Sequence, residues 1–274
     1  MSIQAQYAAV LARKNASGGA PSYLLDTYTG VAAAYSVRKL ATGQTYSMKV
    51  REDGGDTLLD IGFSGEDLDE AAIASHCGAN NGFVETLYDP SGNSLDISQL
   101  TNGAQPKIYD GSAVIKTNGK PAIDFTPNQE FPPKSFTLTQ PFTWFCVADQ
   151  DNTGDVIIDG YTNTNYGSLY GYTSGGMRFN CGTPLNTGAA YTHGDQILIF
   201  AMGNGTNSDI GINGGTPANG NAGTRDPGGL TIAQGGGGSF NHNGRIQEIL
   251  AWNSDKTSDR SGIESNINSY FSIY

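Results

Sequence analysis

Residues 112–125 read SAVIKTNGKPAIDF, two short apolar stretches joined by a polar turn. The Asn118-Gly119 pair at the centre is a strong hairpin signal, because both residues readily adopt the positive φ angles that a tight turn requires. We therefore predict antiparallel strands over 112–116 and 120–125.

The pattern of short strands between turn residues continues on both sides of the hairpin. Before it we predict strands over 32–40, 46–51, 57–63 and 82–88, with a helical pattern only over 68–76. After it we predict strands over 142–148, 155–160, 168–173, 176–181, 196–202, 208–213, 229–233 and 245–252. So many short strands with so little helix indicate an all-β sandwich of two packed antiparallel sheets.

A short helix is predicted near each end of the chain. Near the C-terminus, Ser261 and Glu264 have the spacing of a capping box in front of an apolar helix face. Near the N-terminus, residues 3–14 have an amphipathic pattern that ends at a Gly-Pro turn. This first helix either packs on its own domain or docks the protein onto a larger assembly. We divide the chain into a docking segment, 1–22, and one jelly-roll domain, 23–274.

Composition excludes several classes of function. The chain has 274 residues with 26 acidic and 15 basic side chains, a net charge of −11, and no basic stripe for nucleic acid. No apolar run approaches the roughly 18 residues that span a bilayer, so we expect no membrane insertion. The three cysteines are widely spaced and odd in number, which favours free thiols in a protein folded in a reducing cytoplasm. The 38 glycines lack a collagen-like period and indicate turns.

Residues 161–172 are the best candidate for a ligand surface. Sugars have apolar C–H faces ringed by hydroxyl groups, so a site for them combines aromatic rings with amide and hydroxyl partners. The alternative is that the tyrosines simply alternate along a strand, half-buried by their neighbours. The candidate glycan-binding residues are Tyr161, Tyr166, Tyr170, Tyr172, Asn163 and Asn165.

Residues 149–155 give a weaker candidate for a metal site. Asp149, Asp151 and Asp155 place oxygen ligands at alternating positions around a glycine, as a calcium loop would. The bidentate Glu that would complete such a loop is absent, and a solvated turn between two strands accounts for the pattern equally well. We expect no cofactor other than this possible calcium ion.

Several motifs together resemble the catalytic domain of the alpha-L-arabinofuranosidase B family. The segment 82–93 ends in Tyr88-Asp89-Pro90-Ser91-Gly92, which matches a strand and turn of that family. The segments 33–40, 48–51, 60–63, 105–108 and 118–125 extend the match. Similar segments occur in many bacteriophage virion proteins. The closing segment, 238–252, resembles the last strand of laminin G-like, concanavalin-A-like sandwiches.

The resemblance implies a concanavalin-A-like jelly roll and a carbohydrate partner, but it does not imply hydrolysis. In that family the nucleophile is a Glu on a mid-chain strand, and the general acid is an Asp in a glycine-rich turn before the closing strand. Their counterparts here, 176–181 and 234–241, contain neither Glu nor Asp, and the family's adjacent cysteine pair is also absent. A different catalytic pair of carboxylates would have to come from a set of seven aspartates. These are Asp149, Asp151, Asp155, Asp159, Asp195, Asp209 and Asp226.

Three hypotheses follow from the sequence. The first is a non-enzymatic structural protein of a bacteriophage virion, assembled in the host cytoplasm as a head decoration, fibre or tail-associated component. Its expected partners are other virion proteins, further copies of itself as a homotrimer, and glycans of the host surface. The second is a free carbohydrate-binding module. The third is an active arabinofuranosidase-like glycoside hydrolase.

Overall fold

The computed structural model describes residues 23–172 and 175–274. In these residues the α-helices are α1 (Leu24–Thr27), α2 (Glu70–Cys77) and α3 (Arg260–Phe271). The strands of the first half are β1 (Val31–Ser36), β2 (Met48–Glu52), β3 (Leu58–Ile61), β4 (Phe63–Ser64), β5 (Asp67–Leu68), β6 (Asn81–Leu87), β7 (Ile97–Ser98), β8 (Lys107–Asp110), β9 (Lys116–Thr117), β10 (Lys120–Pro121), β11 (Ile123–Phe125) and β12 (Phe131–Ser135). Those of the second half are β13 (Phe142–Ala148), β14 (Val156–Asp159), β15 (Ser168–Tyr172), β16 (Gly176–Asn180), β17 (Pro184–Asn186), β18 (Ile197–Gly203), β19 (Ser208–Ile212), β20 (Ala218–Gly220), β21 (Gly229–Ile232) and β22 (Gly244–Trp252).

Two large antiparallel sheets contain most of these strands. The larger has twelve strands in the order β20-β19-β18-β13-β22-β11-β8-β6-β2-β3, with β1 also paired to β22 and β7 to β6. The smaller has six strands in the order β12-β21-β14-β15-β16-β17. The predicted all-β sandwich of two antiparallel sheets, a jelly roll, is confirmed.

The main core lies between the two sheets. Trp144 on β13 of the larger sheet is fully buried, and its ring centroid is 6.3 Å from that of Phe179 on β16 of the smaller sheet. Phe142 lies 5.1 Å from Trp144 and 5.9 Å from Phe179, so the three rings bridge the sheets. Edge-to-face contacts of this kind add to the stabilisation from burial alone.

Helix α3 covers the opposite face of the larger sheet. Neighbouring residues of a strand point to opposite faces, so Phe145 points away from the Trp144 side. Its ring centroid lies 5.3 Å from Phe200 and 5.8 Å from Trp252. Buried Ile263 and Ile267 of α3 belong to the same continuous core. The central strands β13, β18 and β22 of the larger sheet are therefore buried on both faces.

A buried ion pair ties this helix to the sheet. Arg38 and Glu248 are each 1% exposed, and Arg38 Nε and Nη2 donate to the two Glu248 carboxylate oxygens at 2.8 and 3.0 Å. Arg38 Nη1 also donates to Glu66 and to Asn266 of α3. Because this guanidinium has partners on three sides, it fixes the position of α3 against the sheet.

The hairpin predicted at Asn118-Gly119 is confirmed. Asn118 and Gly119 have φ angles of 50° and 78°, and Lys120 pairs with Thr117 across the turn. Of the predicted strand 112–116 only Lys116 lies in β9, and the arm after the turn is divided into β10 and β11. The predicted helix over 68–76 is α2, displaced by one or two residues.

The two predicted terminal helices have different outcomes. Helix α3 begins after Asp259, whose side chain makes no capping hydrogen bond, so the predicted capping box of Ser261 and Glu264 is wrong. Glu264 instead accepts from Arg260 Nε at 2.8 Å, one turn earlier. The predicted N-terminal helix and docking segment, 1–22, lie outside the described residues.

The described residues add two further findings. None of their helices combines the length and apolar character needed to cross a membrane. Cys77, Cys146 and Cys181 are all buried and unpaired, as predicted. Burial raises the pKa of the Cys77 thiol to about 11 and also raises that of Cys146, so these thiols are protonated core residues at neutral pH.

Candidate functional site

A groove of about 510 Å³ lies on the outer face of the smaller sheet. It runs over strands β14, β15 and β16 and under the turn that precedes β22. The lining residues are Gly154, Val156, Asp159, Asn163, Tyr166, Ser168, Tyr170, Asn180, Gly235, Gly237, Ser239 and Phe240.

The floor of the groove comes from strand alternation. Leu169 of β15 is fully buried in the core, so Ser168 and Tyr170 point to the outer face. Across the ladder Ser168 pairs with Asn180, and Tyr170 pairs with Arg178. Residues opposite each other in an antiparallel pair share a face, so hydroxyl, amide and aromatic groups form one polar and aromatic surface.

Two further aromatic rings form the walls. Tyr166 lies in the loop between β14 and β15, and the Arg225 guanidinium lies 4.4 Å from its ring centroid. Phe240 stands in the turn before β22 and is 70% exposed, an unusual position for so large an apolar side chain. Its backbone has a φ of 61°, in the left-handed region that residues other than glycine seldom adopt. The groove therefore has an aromatic ring on its floor and on two walls.

The glycine-rich turn 235–239 closes one side of the groove. Gly235 N donates to Ser239 O at 2.8 Å, and Gly238 N donates to Gly235 O at 2.8 Å. A Cβ atom on Gly236 would lie 2.7 Å from Gly160 O and 2.8 Å from the carbonyl carbon of Thr162. Only glycine allows this approach, so the turn packs directly on the loop that follows β14.

Asp159 joins the elements below the groove. Its Oδ1 accepts from Gly160 N at 2.7 Å, Ser168 Oγ at 2.8 Å and Gly167 N at 3.2 Å. Its Oδ2 accepts from Gly236 N at 2.9 Å. One carboxylate thus connects the end of β14, the start of β15 and the glycine-rich turn.

The environment of Asp159 limits the chemistry of the groove. The side chain is 6% exposed, and burial raises the pKa of its carboxyl, while the N–H groups of Gly236 and Gly160 and the Ser168 hydroxyl oppose the rise. Among the lining residues that the structure describes, Asp159 is the one carboxylate. Hydrolysis of a glycoside by the usual route needs two carboxyl groups flanking the scissile bond.

The structure brings together half of the predicted glycan-binding residues. Asn163, Tyr166 and Tyr170 line the groove. Tyr172 lies beyond its lining, with its ring centroid 3.8 Å from the Arg178 guanidinium.

The other two predicted residues lie in the loop before β15, also outside the lining. Asn165 Oδ1 accepts from the hydroxyl groups of Thr162 and Thr164, which shapes this loop. Tyr161 is 38% exposed. Whether the lining set binds a glycan stays a prediction.

Sequence reasoning missed several groove residues. Asn180 lies one strand beyond the tyrosines, and its facing partner Ser168 becomes apparent only once the two strands are paired in register. Ser239 and Phe240 follow a glycine run that reads as a plain turn. Asp159 was one of seven aspartates with no feature to distinguish it. The signal available for Phe240 was a large apolar residue between serine and asparagine, directly after a glycine run.

The predicted calcium ligands differ in exposure, since Asp149 is buried, Asp155 is half-buried and Asp151 is exposed. Asp149 is buried, and its carboxylate accepts from Arg245 N at 2.6 Å and from Thr117 Oγ1 at 2.9 Å. Asp151 is exposed and accepts from Asn243 Nδ2 at 3.3 Å. Within 23–172 and 175–274 no three His, Cys, Asp or Glu side chains converge as around a metal ion. Calcium at Asp149, Asp151 and Asp155 stays a prediction.

Comparison with known proteins shows the fold. No protein-family model and no curated protein matches the chain. A point mutant of a GH54 α-L-arabinofuranosidase, soaked with 4-nitrophenyl α-L-arabinofuranoside, aligns over 86% of this chain with a TM-score of 0.67 and 16% identity. An arabinofuranosidase complexed with arabinofuranosyl-α-1,2-xylobiose aligns over 86% with a TM-score of 0.64 and 17% identity. Each alignment covers 62% of the arabinofuranosidase chain. The likeness shows an arabinofuranosidase-B-like jelly-roll fold.

Proposed function

We propose that this protein binds a glycan in the groove without hydrolysing it, and that it does so as a structural component of a bacteriophage virion. The observation that carries the binding proposal is the outer face of the smaller sheet. There Tyr166, Tyr170 and Phe240 surround the amides of Asn163 and Asn180. Aromatic rings can cover the C–H faces of a sugar while amides bond its hydroxyl groups.

The proposal of binding without hydrolysis is supported by Asp159. Four donors occupy its two oxygens, and it has no second carboxylate among the described lining residues. A carboxylate held in this way is suited to positioning loops. The counterparts of the family's catalytic pair, 176–181 and 234–241, also lack Glu and Asp.

The virion setting is supported by the sequence alone. Segments of the first half are similar to those of bacteriophage virion proteins, and the segment 1–22 would dock the domain onto the particle. Other virion proteins, a homotrimeric arrangement and assembly in the host cytoplasm belong to the same proposal. The arabinofuranosidases that share the fold bind arabinofuranosides according to their structures, which agrees with a sugar ligand here.

Glycan binding is tested on an array and then by titration of the retained oligosaccharide. We expect Tyr170→Ala to weaken binding roughly tenfold, since it removes the aromatic floor. The matched control is Tyr161→Ala, which removes a tyrosine of the adjoining loop that does not line the groove. Equal affinity of both variants, each shown to be folded by circular dichroism, would overturn the assignment of the groove.

The virion setting is tested by mass spectrometry of purified particles. We expect the full-length protein to be present in them in a fixed copy number. A variant that lacks residues 1–22 should stay in the soluble fraction of the lysate. Its incorporation at the level of the full-length chain would contradict the docking function.

A glycoside hydrolase is the second candidate, and one observation favours it. Asp159 is a carboxyl with a raised pKa beside the groove, as a general acid would be. The test is release of 4-nitrophenol from 4-nitrophenyl α-L-arabinofuranoside. Binding without hydrolysis predicts no release above the uncatalysed rate. Release that Asp159→Asn abolishes would establish the hydrolase instead.

A further inference from the structure

We infer that the ligand of the groove is an anionic glycan, whose carboxylate or sulfate groups are bound by Arg178 and by Arg225. The inference rests on the proposed glycan binding and specifies its substrate class. It follows from how the arginines of this acidic protein are paired.

The described residues contain six arginines, and four of them form ion pairs with carboxylates. The pairs are Arg38 with Glu66 and Glu248, Arg51 with Asp56, Arg245 with Asp124, and Arg260 with Glu264. Arg178 and Arg225 form no ion pair with any described residue. A chain with 26 acidic side chains offers many partners. The two exceptions both lie beside tyrosines of the groove.

Arg178 stands on the same sheet face as the groove floor. It pairs in register with Tyr170, and its guanidinium carbon lies 5.7 Å from the Tyr170 ring centroid and 3.8 Å from that of Tyr172. Nε donates to Asn186 Oδ1 at 2.7 Å, which orients the group. Neither Nη atom donates to another described residue. The Nη groups therefore have donors that no described residue uses.

Arg225 lies beside the wall of the groove that Tyr166 forms. Its guanidinium carbon lies 4.4 Å from the Tyr166 ring centroid, and the side chain is exposed. One nitrogen donates to Thr164 O at 3.3 Å. The adjacent Asp226 accepts from Gln140 N at 2.7 Å and makes no ion pair with Arg225. Stacking on tyrosine holds both guanidinium groups in place without neutralising them.

The N–H groups of these arginines that have no partner among the described residues indicate the chemical class of the ligand. A guanidinium presents paired N–H groups that match the oxygens of a carboxylate or a sulfate, and bonds of this kind are stronger than neutral ones. Asp159 opposes an anion only weakly, because its own oxygens are already bonded to four donors. A sugar that stacks on Tyr166 or Tyr170 would bring an acidic substituent within reach of the adjacent arginine.

The test uses an array of oligosaccharides in matched forms: neutral, carboxylated and sulfated. We expect the anionic forms to be retained over their neutral counterparts, and the retained form identifies the carboxylate or sulfate as the source. Arg178→Gln and Arg225→Gln should each weaken binding roughly tenfold. The control Lys49→Gln removes the same charge from β2 of the larger sheet and should change nothing.

Three results separate this inference from the proposed function. Equal retention of neutral and anionic forms, with loss in Tyr170→Ala, would overturn the inference and leave glycan binding in place. Arginine variants that bind like Lys49→Gln would do the same. If no form is retained by the unmodified protein, both proposals fail. Sodium chloride at high concentration should weaken the anionic complex, since exposed ion pairs are screened.

Discussion

Glu248 and Asp159 are two buried carboxylates that the fold stabilises in different ways. Glu248 is 1% exposed and bonds both its oxygens to the guanidinium of Arg38. Asp159 is 6% exposed, has no cation partner, and accepts from three backbone N–H groups and one hydroxyl. The first anchors a helix on the larger sheet. The second holds loops together beneath the groove of the smaller sheet.

The difference shows where the protein uses its positive charge. In the interior an arginine neutralises the buried carboxylate of Glu248. Beneath the groove, neutral N–H and hydroxyl donors take the place of an arginine at Asp159. This leaves Arg178 and Arg225 available on the surface. His242 adds a third case, since its two ring nitrogens are buried without a hydrogen-bond partner among the described residues. Each case predicts a different response to mutation or pH.

The largest effect is expected from Arg38→Met. Removing the guanidinium leaves Glu248 buried without its cation, which should lower the free energy of unfolding by about 3–5 kcal/mol. Urea denaturation followed by tryptophan fluorescence measures this loss. The double variant Arg38→Met with Glu248→Leu should recover much of it, because it leaves no unpaired buried charge. A single variant within 1 kcal/mol of the unmodified protein would contradict the anchoring role of the pair.

The next effect concerns the pH dependence of stability. Burial lowers the pKa of His242 to about 4, below its usual value of 6.5, so protonation favours the unfolded chain. The stabilisation is complete above pH 6.5 and declines as the pH falls toward 4, by roughly 3 kcal/mol. Denaturation curves between pH 7 and 4 measure the slope. His242→Gln should flatten it, and an unchanged slope in that variant would contradict the role of His242.

A smaller effect is expected from Asp159→Asn. The amide keeps the shape of the carboxylate but places an NH₂ group against either Gly236 N–H or the three donors at Oδ1. One mismatched buried donor costs about 1–3 kcal/mol. Thermal unfolding measures the loss. Relative to the unmodified protein, the variant should show a larger increase of hydrogen exchange at 235–239 than in β13. Unchanged exchange in the turn would contradict the connecting role of Asp159.

The smallest effect is expected at a surface pair. Lys49 Nζ lies 3.9 Å from Asp60 Oδ1, and both side chains are partly exposed. Lys49→Gln should therefore change the free energy of unfolding by less than about 0.5 kcal/mol. Chemical denaturation alongside Arg38→Met compares the two environments directly. A loss similar to that of Arg38→Met would mean that burial does not determine how much an ion pair contributes to stability.

Strong local signals predicted the central strands well. The stretch 142–148 is apolar throughout, and β13 has the same bounds because it is buried on both faces. β12 was missed because Pro132 and Pro133 argue against a strand. It forms nevertheless, since it lies at the edge of the smaller sheet with an irregular register between Phe131 and Lys134.

The candidate site was predictable only in part. Tyr170 was among the predicted glycan-binding residues, and its position in the groove follows from alternation along β15, a property local to one strand. The approach of Phe240 to Tyr166 joins segments more than seventy positions apart, and no local pattern encodes it. The unpaired state of Arg178 and Arg225 also depends on which carboxylates the fold brings near, which the sequence alone does not specify.

The prolines at the edges of the smaller sheet have a consequence for aggregation. The two edge strands are β12, with Pro132 and Pro133, and β17, with Pro184. Proline has no N–H to donate, so neither edge presents a full ladder to a strand of another molecule. Association of copies through the edges of the sheet that bears the groove is thus disfavoured even at high local concentration.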